Sequence, residues 1–197
     1  MSDNIFDRFL DAADQARIPL RTAQSRDWFL KKARSDAKNY TFGKLEKEAR
    51  GKFRQRMGIG KMYFFQYDAK YKDTLPYWDK FPLIIPIDIG KKHILGCNLH
   101  YLHPKTRAVI LAKLMDIASD QRYNERTKIR LSYGIVKSLT KYKLLKPTIK
   151  KYLKSHFRSK YILVDAEEWE IAIQLPVQRF QKSSNTNVYR ESRKKVT

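Results

Sequence analysis

The chain has 197 residues, with 42 Lys and Arg against 20 Asp and Glu, for a formal net charge of +22. That length suits one domain with extensions, and 42% apolar residues can supply a real core. One cysteine, Cys97, excludes an intramolecular disulfide and a cysteine-rich zinc site, and no apolar run approaches the ~20 residues of a membrane-spanning helix.

Residues 3–16 place Ile5, Phe6, Phe9, Leu10 and Ala13 at helical spacing, with Ser2 or Asp3 as a possible cap. This acidic, amphipathic start is not a secretory signal, so the expected setting is soluble, within a cell or a virion. After Pro19 a second helix is expected from Ser25, carrying Trp28, Phe29 and Ala33 on one side. A third covers 42–53, with Leu45, Ala49 and Phe53 four apart. Its lysines and arginines form either a solvated face or a phosphate-facing one.

The period then changes. KMYFFQYDAK is strand-like, with Tyr63, Phe65 and Tyr67 on one side. FPLIIPIDI follows, and then HILGCNLHYL after a Gly90-Lys-Lys turn, giving three antiparallel strands with short connections. Proline cannot donate to a ladder, so Pro82 fits a strand start, and Pro86 implies a bend or an edge. Strongly bent strands suit a small SH3-like barrel, entered through the aromatic loop DAKYKDTLPYWDK at 68–80. PKTRAVILAKLMDIAS is a clear helix, with Pro104 in its first turn and Ala108, Leu111, Ala112 and Met115 as its stripe. Residues 123–159 read as two helices, the second carrying Ile149, Tyr152, Leu153 and Phe157 at helical spacing. KYILV returns to strand. Asp165 then caps AEEWEIAI, whose first turn holds Glu167 and Glu168. From Gln181 no apolar period remains. The predicted class is therefore α+β: a small antiparallel SH3-like barrel decorated by N-terminal and C-terminal helices. Its expected parts are a helical extension at 1–56, a core at 57–180 and a flexible basic tail at 181–197.

Positive charge is held against self-repulsion, so it points to a polyanion such as nucleic acid. It is also blocked: eight Lys or Arg face two Glu over 38–61, and thirteen face Glu125 alone over 122–160. Such blocks make a binding face or groove. The phosphate-contact candidates are Lys44, Lys47, Arg50, Lys52, Arg54 and Arg56 in the first block. The second block offers Lys137, Lys141, Lys143, Lys146, Lys150, Lys151, Lys154, Arg158 and Lys160, and the tail offers Arg193, Lys194 and Lys195. Among the aromatics, Phe53, Phe65 and Tyr152 read as core. Tyr77 and Trp78, on the Pro-rich loop, are the candidates for stacking on unpaired or terminal bases.

Catalytic signals are weak. His100 and His103 lack a third metal ligand nearby and read as hydrogen-bonding groups at a strand-to-helix corner, and Cys97 reads as core. A metal-dependent nuclease needs clustered carboxylates. Only Asp73, Asp79 and Asp88 around the loop, or chance Asp-x-Lys triplets at Asp36 and Asp68, offer any.

Residues 61–67, DTLPYWDKFPL at 73–83, GCNLHYL at 96–102 and the region around EEWE at 167–170 together resemble the DNA end protector, or head-completion, proteins of T-even-type tailed phages. The likeness covers roughly 60–180. It implies a non-enzymatic virion protein, assembled in the host cytoplasm, that joins the filled head late. Such a protein binds the ends of packaged linear duplex DNA and shields them from host exonuclease. Portal or neck proteins are its implied partners, with no cofactor and no membrane. A barrel-type nuclease and a head–tail connector lining the DNA path are the competing expectations.

Overall fold

The computed structural model describes residues 4–119, 125–139 and 143–195. The side chains of Met115, Ile129, Leu131 and Leu139, and residues Lys141 and Tyr142, lie outside what is described.

Three capped helices open the chain. Helix α1 (Ile5–Gln15) begins at Asn4, whose side chain accepts from the Phe6 and Asp7 amides while Asp7 reaches back, closing a capping box. It buries Ile5, Phe6, Phe9 and Ala13, the stripe read from the sequence. Helix α2 (Ala23–Ser35) starts earlier than expected, because Thr22 is the cap and Ser25 its reciprocal partner. Helix α3 (Phe42–Glu48), capped by Thr41, is shorter than the expected 42–53. Gly51 adopts φ +84°, a left-handed turn that glycine makes without a Cβ penalty, and Phe53 leaves the helical path for a strand.

The strands are β1 (Phe53–Arg54), β2 (Met62–Phe64), β3 (Trp78–Asp79), β4 (Leu83–Ile89), β5 (His93–Asn98), β6 (Ile149–Leu153), β7 (Tyr161–Val164) and β8 (Phe180–Gln181). Six form one antiparallel sheet in the order β1-β7-β2-β4-β5-β6, and β3 pairs with β8 apart from it. The α+β class therefore holds. The ladder runs from β1 to β6 without closing on itself, so the barrel closure expected from the sequence is not confirmed. The β2-β4-β5 meander has the expected antiparallel pairing. Pro86 does mark a bend, since the β4–β5 register shifts between Pro86 and Asp88. It does not mark an edge, because β4 lies between β2 and β5.

Both sheet faces are covered, which is why LIIPI is continuously apolar. On one face Met62, Phe64, Leu83, Ile85, Cys97, Ile162 and Val164 share a core with α1, α2, α3 and α6 (Trp169–Ala172), as well as with α4 (Pro104–Ser119). On the other, Phe65 is ringed by Tyr152, Phe157 and Tyr161 at 5.3, 4.7 and 6.2 Å between ring centres.

Two expected elements change identity. The helix predicted around Ile149–Phe157 is strand β6, flanked by short 3-10 turns. Its register on β5 runs from Cys97 opposite Ile149 to His93 opposite Leu153. The open backbone of β5 offers a ladder that a lone helical period cannot match. The flexible tail is also corrected: residues 185–194 form α7 (Asn185–Lys194), capped by Ser184, with Val188 fully buried against Tyr77, Tyr101 and Phe180. One apolar residue anchors it, too few to give a visible period. Helix α5 (Glu125–Leu139) packs on α4. Among the described residues, no helix is long and apolar enough to cross a membrane.

Candidate nucleic-acid interface

A buried polar network ties β3, β5, β6 and α7 together. The Asp79 Oδ2 atom lies 2.7 Å from His100 Nδ1 and accepts from Asn98 Nδ2 at 3.2 Å. Its Oδ1 accepts from the Phe81 and Arg179 amides at 3.1 and 3.2 Å. Burial alone would raise the Asp79 carboxyl, but His100 and these donors hold it below its usual range. Burial keeps His100 neutral, below the usual imidazole value, against the pull of Asp79. The pair is therefore a carboxylate accepting from a neutral imidazole N–H. Next to it, Arg107 is fully buried and donates to the carbonyls of Leu102, Ile173 and His100 and to the Tyr189 hydroxyl, at 2.8 to 3.2 Å. The histidine reading stands: His100 is a hydrogen-bonding group at the corner after β5. Nothing in the linear sequence separated Arg107 from the many surface cations.

Above this network lies a cavity of about 490 Å³ between the 67–79 loop and β6. Its walls include Tyr71, Trp78 and Tyr101, with Asp79 at the network side and Lys70, Lys150 and Lys151 among the lining cations. Strand β6 alternates, so Lys150 and Tyr152 share the aromatic face of the sheet while Lys151 is exposed. The Lys150 ammonium sits 4.1 Å from the centre of the Tyr101 ring, a cation–π contact. Burial, and then the positive charge of Lys195 on the C-terminal segment, lower its pKa to about 8. Among the described residues it has no carboxylate partner.

The structure separates the predicted site residues into different environments. Lys143 and Lys146 are exposed on the 3-10 turn that leads into β6 and Lys151 is exposed on that edge strand, while Lys154 is half-buried next to the β4–β5 turn, where its amide bonds to the Lys92 carbonyl. Lys44, Lys47, Arg50, Arg54 and Arg56 are exposed on and after α3. Lys160 is exposed at the start of β7, over the Phe53 ring, and Arg193, Lys194 and Lys195 are exposed at the end of α7. Lys137 is exposed on α5. Lys52 is engaged, clamped by Asp165 at 2.7 Å and Glu168 at 2.5 Å. Arg158 is exposed but shares Asp68. Tyr77 is only 9% exposed, packed against Tyr101 and Phe180, so its ring is part of the core and not a free stacking platform. Burial, and then Glu191, push its hydroxyl pKa up to about 12. Trp78 is half-buried and lines the cavity. Tyr71, 60% exposed on the rim, is the aromatic residue that the sequence reading did not single out.

The carboxylates named for nuclease chemistry do not gather. Asp79 is saturated in the buried network, Asp73 is exposed on the loop, and Asp88 lines a different cavity with Lys137 and Lys146. Among the described residues, no group of three or more His, Cys, Asp or Glu is placed to hold a metal ion. Cys97 is buried, 3.2 Å from the Thr148 hydroxyl, with its thiol pKa raised by burial to about 11.

No curated protein and no solved structure matches the chain. A family model described as the Phage T4 terminal DNA protecting protein matches residues 12–196, nearly the whole sequence and all of the sheet, network and cavity, and the chain belongs to that family.

Proposed function

We propose that this protein is a non-enzymatic virion component that binds the ends of packaged linear duplex DNA, covers them against host exonuclease, and is added as the head is completed. The observation that carries this reading is the family match over 12–196. The net charge of +22 and the exposed lysines on and just before β6 supply the chemistry. An exonuclease must reach the terminal phosphodiester. A protein anchored on the flanking phosphates by lysines and arginines denies it that access without any bond-making step. Release of counterions from those phosphates makes such anchoring strong and salt-dependent. Portal or neck proteins would be the neighbours of a protein placed at the packaged end.

The test compares binding to linear duplex with binding to closed circles of the same sequence, across a salt series, with and without magnesium. Preference for linear DNA that stays intact, with terminal nucleotides protected from added exonuclease, is expected. Equal binding to both forms would replace end protection with a general role along the DNA path. Magnesium-dependent cutting would restore the nuclease reading.

A further inference from the structure

We propose, building on the end-binding reading, that the cavity between the 67–79 loop and β6 receives one unpaired, phosphorylated terminal nucleotide of the bound DNA. In this arrangement the Lys150 ammonium takes the phosphate, and Tyr71 and Trp78 hold the base.

Four observations carry this. First, the cavity's 490 Å³ lies within the ~300–1,000 Å³ span of small-ligand sites, room for a nucleotide but not for a base-paired end. Second, Lys150 is a half-buried cation with an aromatic ring 4.1 Å from its ammonium and no carboxylate beside it among the described residues, so an incoming anion would find an unpaired partner. Cations drawn partly out of water are normally paired, so an anionic ligand would supply the partner that Lys150 lacks here. Third, Lys70 and Lys151 line the same cavity, while the Asp79 carboxylate that also borders it is fully occupied by four donors. Fourth, Tyr71 is 60% exposed on the rim, with the Lys70 ammonium 5.2 Å from its ring centre, and Trp78 lines the same cavity, so an entering base meets aromatic side chains flanked by a cation. Base–aromatic stacking tolerates any base, which suits a protein that meets ends of arbitrary sequence.

The experiment uses the full chain and DNA hairpins with one open end. That end is blunt, or carries one unpaired nucleotide on its 5′ or its 3′ strand, each with a terminal phosphate or a hydroxyl. A closed dumbbell is the reference. The readout is the affinity ratio of phosphorylated to hydroxyl end within each protein variant, so any general weakening of backbone binding cancels. A ratio of about ten is expected for one of the two strands, the size of one charge-assisted contact. Lys150→Met is expected to bring the ratio to about one, and Lys150→Arg to restore it. Tyr71→Ala, at an exposed site, is expected to lower the preference for the one-nucleotide extension over the blunt end about fivefold or more. It keeps the test decisive if Lys150→Met fails to fold. A ratio near one for both strands in the unmodified protein overturns the proposal. So does a ratio that survives Lys150→Met. If open ends still outcompete the dumbbell in those cases, end binding stands and only the cavity's role falls. If open ends and dumbbell bind alike, the end-binding reading itself falls.

Discussion

Removing the Asp79 carboxylate tests the buried network most directly. Asp79→Ala leaves four donors facing an empty site: His100 Nδ1–H, Asn98 Nδ2–H and the amides of Phe81 and Arg179. Each buried neutral donor left without a partner costs about 1–3 kcal/mol, reduced where water enters, so four donors near the low end come to about 4 kcal/mol. The expected loss of stability is therefore about 4 kcal/mol, which for a chain of this size lowers Tm by roughly 8–16 °C. Asp79→Asn keeps one oxygen for the two amides and should lose about half as much, on the order of 2 kcal/mol. Urea unfolding followed by tryptophan fluorescence measures both, and Trp78 is next to the substituted residue. An Asp79→Ala protein within about 1 kcal/mol of the parent would refute the argument, since it would mean the four donors find water or each other at little cost.

The same pair predicts acid sensitivity. His100 is held neutral with its pKa below 6.5, so the unfolded chain takes up that proton first and stability falls as pH drops through 6.5. Asp79, held below 3.8, contributes stability above that value and loses it as pH falls toward its folded pKa. Glu168, raised above 4.5 by burial, acts in the opposite sense and only near its own range. The urea midpoint should therefore fall from pH 8 to pH 5, and a flat profile would contradict a neutral, buried His100. Gly96→Ala would bring a Cβ within 2.8 Å of Ile84 Cδ1 and 3.2 Å of its Cβ, so a loss of about 1–3 kcal/mol is expected in the same assay. An unchanged midpoint would mean that Ile84 repacks freely. Replacing Lys143, Lys146, Lys151 and Lys154 together by Gln should flatten the log–log salt dependence of duplex binding by about 0.9 for each phosphate no longer neutralised. An unchanged slope would move the DNA to the α3 side or to α7.

Much of the local structure could be read from the residues, because it depends on near neighbours. The α1 stripe, the β2-β4-β5 meander, the Pro86 bend and the 104–119 helix each follow from a period or a special residue within one segment. The resemblance carried by residues 61–67, 73–83, 96–102 and 167–170 led to the family that the chain belongs to. Elements whose partners lie far away were read less well. Ile149, Tyr152, Leu153 and Phe157 satisfy a helical period, yet β5 offers them a ladder across some fifty intervening residues, and its backbone donors decide the outcome. Val188 anchors α7 by packing one side chain into an aromatic cluster drawn from 77–180, which no window on the tail contains.

The sequence by itself determined the charge, the family and the chemistry of a polyanion binder, because these belong to residue types and their order. Only the tertiary structure decided what each cation is left to do. It commits Lys52 to two carboxylates, buries Arg107 among carbonyls, and leaves Lys150 over Tyr101 beside a cavity. All three look alike in the chain. They differ because burial and the position of oppositely charged or polar groups, set by contacts between distant segments, fix what each positive charge can still bind.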